Sequence, residues 1–243
     1  MPRPTKPPKP PQLNVLYEDN HLLVINKPAG VPTQGVIEGA ASIVTLAKAY
    51  LKRKYKKPGN VYLGVVSRLD ASTSGVLVLA RTSKAAARLS AQFRERDADK
   101  TYWALAPQPP DPPAGELSHW VLKNDRQARM EIVPPRTRGA QHAKLAYQTL
   151  RSENNRTLIE VRLHTGRKHQ IRLQLAAIGC PILGDRKYGS RIEFPGPGIA
   201  LHAARLVIEH PTTKERLCFR ALPPTTWGLT GDWLTSLEPP NSA

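Results

Sequence analysis

The chain has 243 residues, 40% of them hydrophobic, with 36 lysines and arginines against 19 aspartates and glutamates, a formal net charge of +17. That length and apolar share suit one globular unit with a substantial core, and so large a cationic surplus repels itself unless an anionic partner, nucleic acid first among them, offsets the field. No run of eighteen apolar residues occurs and MPRPTKPPKPPQ lacks a signal-peptide core, which argues against membrane insertion and export and makes the cytoplasm the expected location.

Residues 1–12 alternate proline with basic residues and offer little to bury, so they are expected to form an extended basic tail. From Leu13, LNVLYEDNHLLVINK reads as two short strands about a polar turn, ended by KPAG. ASIVTLAKAYLKRK, from Ala41, sets Ile43, Leu46, Ala47 and Leu51 on one side of an amphipathic helix whose basic end, KRKYKK, reads as a solvated face. VYLGVV and GVLVLA are apolar on both faces and predict central strands covered from each side. SKAAARLSAQFRER has helical spacing at Ala86, Leu89 and Phe93, with Ser83 as the expected N-cap.

KTYWALA predicts a strand and PQPPDPPAG a loop. Further strands are expected at LSHWVLK, ARMEIV, AKLAYQTLR and TLIEVRLH, the last two joined as a hairpin across SENN. HQIRLQLAAIG breaks this series: Ile171, Leu175 and Ile178 form a helical stripe, and Gly179 with Pro181 stops it. After loops at GDRKYGS and FPGPG, IALHAARLVI and ERLCFRAL return to strand patterning, and TTWGLTGDWLTSL reads as a short closing helix. The order is that of an α+β domain, expected over residues 13–237 and followed by a tail at 238–243.

SRLDASTSG places one carboxylate, Asp70, at the edge of a buried strand. There it needs a cation or several donors to stay ionised. Ser72, Thr73 and Ser74 are local donors, and HTGRKHQIR, from His164 to Arg172, is the densest distant supply of cations. Bracing the turn between two strands is an equally open use of Asp70. His164 and His169 miss the one-turn spacing of a metal pair, and GDRKYG lacks the glycine spacing of a phosphate loop, so it reads as a turn supporting a pocket. Cys180 and Cys218 read as free thiols.

Taken in order, NKPAG, SRLDASTSG, KTYWAL, TGRKHQIRLQLAAIGCPILGDRKYG and LHAARL resemble the RluA-like family of pseudouridine synthases over almost the whole stretch from Leu13 to Leu222. The resemblance implies a pseudouridine synthase fold, a mostly antiparallel mixed sheet flanked by helices with a catalytic cleft across it. It further implies isomerisation of uridine in structured RNA, rRNA or tRNA, with no cofactor, no metal and no obligate protein partner, by a monomer without an S4-type RNA-binding domain.

By the same resemblance Asp70 is the catalytic aspartate, as nucleophile or base, Arg172 is its partner, and Tyr102 is the pocket aromatic. Leu201 is the apolar wall and Arg68 fills the space left by the extruded base, while Thr73, Arg167, His169 and Gln170 belong to the substrate side. Ser67 and Gln174 depart from the family's commonest pattern, which has histidine at both places. Read from residue types alone, Arg172 is also a helix-surface cation, Tyr102 and Leu201 core residues, and Arg68 half of a salt bridge. An RNA-binding scaffold without turnover, or a glycoside hydrolase, is the competing function.

Overall fold

The computed structural model describes residues 13–35, 41–231 and 233. The expected tails at 1–12 and 238–243, with residues 232 and 234–237 of the expected closing helix, lie outside them; what is described of that stretch opens with a 3-10 turn, Thr225–Trp227, that ends at Gly228 in place of a continuous helix.

The strands are β1 (Asn14–Glu18), β2 (Leu22–Lys27), β3 (Gly64–Val65), β4 (Ser74–Ala80), β5 (Asp99–Ala106) and β6 (Ala114–Asn124). They continue with β7 (Arg129–Val133), β8 (Gln141–Glu153), β9 (Arg156–Leu163), β10 (Leu201–Glu209) and β11 (Arg216–Arg220). One mixed sheet takes them all, in the order β1-β2-β4-β10-β5-β9-β8-β6-β7, with β3 on β4 and β11 on β10. Every pairing is antiparallel except β4 with β10. This is the expected α+β architecture.

Three α-helices with described bounds cover the sheet: α1 (Ile43–Lys54), α2 (Ser83–Glu95) and α3 (Gln170–Ala177). β4 is buried along its whole length because α1 and α2 cover opposite faces. Leu77 and Leu79 pack in a cluster with Ile43, Ala47 and Leu51, while Val76, Val78 and Ala80 pack with Ala85 and Leu89. Burial of each such aliphatic side chain contributes roughly 1.5–3 kcal/mol, which is how a strand with no polar face is stable here. The β8–β9 hairpin closes through Asn154 and Asn155, both at positive φ (50° and 57°), the two-residue turn that matches strand twist.

Two expectations need correction. VYLGVV is paired only at Gly64 and Val65, which meet Ala80 and Leu79 at the far end of the β4 edge that β10 takes at Ser74–Gly75. The N-cap of α2 is Thr82 rather than Ser83; its hydroxyl accepts the Ala85 N–H at 3.1 Å, and Ser83 is the first helical residue.

The parallel join positions the site. Gly75 of β4 lies opposite Ala203 of β10, which in turn lies opposite Tyr102 of β5. A Cβ at Gly75 would sit 2.3 Å from the Ala203 carbonyl oxygen, and its φ is +114°, so only glycine permits this approach. The loop before β4, the first residue of β10 and the middle of β5 thereby meet at the centre of the sheet.

Candidate active site

Asp70 stands in the loop between β3 and β4, and that loop is fixed from several directions. Thr33 exchanges hydrogen bonds with Leu69, its hydroxyl donating to the carbonyl at 2.9 Å and accepting the N–H at 3.2 Å. The Gly30 N–H donates to the Ala71 carbonyl at 2.8 Å, the Ile199 N–H to that of Ser72 at 3.0 Å, and the Thr73 N–H to that of Asp70 at 3.1 Å. Lys27, the last residue of β2, is completely buried and directs its ammonium onto the carbonyls of Pro28, Val31 and Ala71 at 2.8, 2.7 and 3.2 Å. Burial lowers its pKa to about 8, while the Asp70 carboxylate pulls the other way. The backbone around Asp70 is therefore set before any substrate arrives.

Arg172, on the first turn of α3, donates from Nη1 to Asp70 Oδ2 at 3.2 Å. Its other edge is held by Asp185, with Nε to Oδ2 at 2.7 Å and Nη2 to Oδ1 at 2.8 Å, a bidentate clamp. Tyr188 lies beneath the guanidinium, its ring centroid 5.0 Å from Cζ. Burial works against the charge on Arg172, but Asp185 and Asp70 outweigh it and raise its pKa. The exposures order the trio: side chains of Asp185, Arg172 and Asp70 are 1%, 8% and 28% exposed. The charge is buried on the Asp185 side and open to the cavity at Asp70.

His169 caps α3 in a left-handed conformation (φ 52°), which turns its ring toward Asp70, with Nε2 3.7 Å from Oδ2. The Met130 N–H donates to the Tyr188 hydroxyl at 3.0 Å, and His169 Nδ1 lies 2.8 Å from that same oxygen. The tautomer follows from these partners: the phenol proton goes to Nδ1, and Nε2–H faces Asp70. Burial lowers the His169 pKa, Arg172 and two lysines add to the effect, and Asp70 opposes it.

Asp70, Arg172, Tyr102, Leu201, Thr73, Arg68, Arg167, His169 and Gln170 all line one cavity of about 450 Å³, so the residues the resemblance assigned to catalysis and substrate are brought together. They do not stand in it equally. The Thr73 hydroxyl is buried without a hydrogen-bond partner among the described residues, whereas Gln170 is bonded to its own loop and to β8, accepting from Thr165 and the Arg167 N–H and donating to the Lys144 carbonyl. Arg167 donates from Nε to the His142 carbonyl, and Arg68 is exposed at the rim. The Tyr102 phenol is pushed up by burial and by Asp70. Gln174 faces away, its amide nitrogen on Leu117 and Ala143 carbonyls and beside His119.

Lys27, Asp185 and Tyr188 were not among the residues expected to serve the site. GDRKYG was legible only as a supporting turn, and what it supports is the arginine and histidine of the preceding helix. The signal at Lys27 is a lysine closing an apolar strand before Pro-Ala-Gly.

A sheet of this topology, with one accessible carboxylate on an arginine inside a cationic cavity, is the frame of an enzyme that acts on nucleic acid. The RNA pseudouridylate synthase family matches residues 21–177. The chain is 34% identical to the dual-specificity RNA pseudouridine synthase RluA of Haemophilus influenzae over 219 residues, 88% of this chain and 95% of that one. Against RluA of Escherichia coli it is 34% identical over 225 residues, with 88% and 95% covered. Among solved structures, human RNA pseudouridylate synthase domain containing 4 superposes with a TM-score of 0.74 at 30% identity, covering 94% of this chain and 95% of that one. The chain belongs to the RNA pseudouridylate synthase family, as an RluA-like isomerase of uridine in RNA.

Proposed function

We propose that this enzyme isomerises uridines in structured rRNA or tRNA at Asp70, acting in the cytoplasm as a monomer without cofactor. The uridine leaves its stack, at roughly a few kcal/mol, and enters the cavity. Asp70 then acts on the ribose or its C1′ as base or nucleophile. The N1–C1′ bond breaks, uracil turns, and C5 bonds to C1′; the proton on C5 leaves and N1 gains one, so the product is an isomer.

The observation that carries this reading is the contact of 3.2 Å between Arg172 and the partly open Asp70 on the cavity floor. Arg172 keeps Asp70 aimed, since a guanidinium clamped by Asp185 cannot swing away. Tyr102 and Leu201 flank the uracil, and the unpartnered Thr73 hydroxyl meets its polar edge. Arg68 at the rim enters the gap left in the RNA, with Arg167 and His169 on the ribose side.

Glycoside hydrolysis calls for a second carboxylate across the scissile bond. Among the described residues, Asp185, the other carboxylate on Arg172, is buried and bound at both oxygens by that guanidinium, so it is unavailable. The relatives named dual-specificity make more than one target RNA worth testing. Pseudouridines should be mapped in total RNA with and without the protein, and tritium release measured from C5-labelled uridine in the mapped RNA. Label release by the wild type and none by Asp70→Asn supports the reading. Equal release by both, or free uracil as product, overturns it.

A further inference from the structure

On the far side of Tyr102 lies a second cavity of about 400 Å³. It shares Arg68, Leu69, Tyr102, Leu163, Gly166 and Arg167 with the first, as a common wall. Beyond that wall, among the described residues, it is lined by four more cations, Arg94, Arg96, Lys100 and Arg205, and by no aspartate or glutamate. None of the four has an ion-pair partner among the described residues, although cations elsewhere do: Arg81 with Glu18, Arg216 with Asp99, Arg172 with Asp185.

Lys100 is the most confined of them. Its ammonium lies 5.8 Å from the centroid of Phe93 and 3.6 Å from where a Cβ would stand on Gly166, at the shared wall. Burial, with Arg96 nearby, lowers its pKa. Arg96 ends α2 in a left-handed conformation (φ 70°), a place where glycine is ordinarily favoured. An arginine held there at a backbone cost, beside a half-buried lysine with no ion-pair partner among the described residues, is a poor arrangement for the isolated protein. An anion in the cavity relieves it.

We propose that this second cavity is an anion subsite that takes one phosphodiester of the substrate strand beside the extruded uridine, with Lys100 as its central cation and Arg96 and Arg205 flanking it. The common wall supplies the geometry: a strand whose uracil occupies the first cavity runs its backbone past Arg68 and Gly166 to the mouth of the second. Phe93, Val76 and Leu206 add apolar surface to a lining that also holds Ser67, His164 and Thr165, and that surface strengthens a charge-assisted contact by limiting water. The inference rests on the isomerase reading for the identity of the strand, and on the charge distribution alone for the chemistry of the ligand.

The test is a binding measurement on a synthetic RNA hairpin with one uridine in its loop, and on copies in which single phosphates flanking that uridine are replaced by neutral methylphosphonates. For the wild type, one such replacement should weaken binding roughly tenfold, in line with loss of a charge-assisted hydrogen bond. In Lys100→Met the same replacement should change binding by less than about twofold, and the slope of log Kd against log salt should fall by about 0.7–0.9. Lys100→Arg should recover most of the affinity. Equal losses in wild type and Lys100→Met at every position overturn the proposal. If Lys100→Met does not fold, Arg96→Ala takes its place under the same criteria. Because binding is read, a coupled phosphate without label release would sink the isomerase reading and leave the subsite standing. Label release without coupling does the reverse.

Discussion

On one side of Tyr102 the cavity's main cation is compensated inside the protein: Arg172 is gripped by Asp185 and touches Asp70, and Lys27 beneath the loop is bonded to three carbonyls. On the other side Lys100, Arg94, Arg96 and Arg205 surround a cavity that no acid lines among the described residues. Compensated charges are shielded from salt and hold a geometry; uncompensated ones leave their field to an incoming anion and destabilise the empty protein. The same residue types thus serve chemistry in one cavity and grip in the other, and what separates the two roles is the presence of a partner.

The comparison breaks first at Asp70. Asp70→Asn should lower turnover by on the order of 10⁴-fold, the scale seen when one member of a cooperating catalytic set is removed. RNA affinity, measured by filter binding, should stay within a few-fold, since the grip belongs to the other cations. A parallel loss of both would make the two cavities one functional unit.

Next is the clamp. Asp185→Asn leaves the buried Arg172 with Asp70 as its sole carboxylate partner among the described residues, and breaking a buried pair costs about 3–5 kcal/mol, readable as a lowered midpoint in urea. Turnover should fall as well, because the guanidinium is released from its fixed direction. An unchanged midpoint would mean that Asp70 alone compensates the charge.

Acid sharpens the compensated half further. His202 of β10 is buried, with Nδ1 2.8 Å from the Ser74 hydroxyl and Nε2 2.9 Å from the Ala221 carbonyl, and burial lowers its pKa to about 4. The unfolded chain, with its histidines near 6.5, takes up the proton first. Stability from the neutral ring is therefore intact above about pH 6.5 and is lost as pH falls toward 4, by up to roughly 3 kcal/mol. Thermal melts at pH 7.5 and 4.5 should show a larger drop in wild type than in His202→Asn.

The smallest effect is expected at Tyr188→Phe, which leaves the buried Met130 N–H without its acceptor and frees His169 from its tautomer. About 1–3 kcal/mol of stability should go. Turnover should drop several-fold at saturating RNA, and phenylalanine keeps the face under Arg172.

The elements around the site were legible to different degrees. β4 announced itself by unbroken apolar residues, and α3 by the stripe through Ile171 and Leu175, because burial on two faces or on one leaves a period in the sequence. β3 did not fare as well. Its apolar run was real, but only Gly64 and Val65 of it meet a partner strand, and pairing is a property of what lies opposite rather than of the run. The same holds at the site. Asp70 and Arg172 stood out within long motifs, yet Asp185 and Tyr188 sat in a turn whose composition resembles many surface turns, and Lys27 looked like the polar end of a strand.

By itself the sequence determined the α+β class, the strand and helix periods, the cationic surplus and the two motifs that carry Asp70 and Arg172. Each is a property of residue type and spacing, which a linear chain displays. Only the tertiary structure decided that Arg172 answers to two carboxylates, that Lys27 props the Asp70 loop, and that four cations line a neighbouring cavity without an acid. Compensation of charge depends on distance across the fold, and distance in space between residues 102 apart, as Asp70 and Arg172 are, is not written in their order.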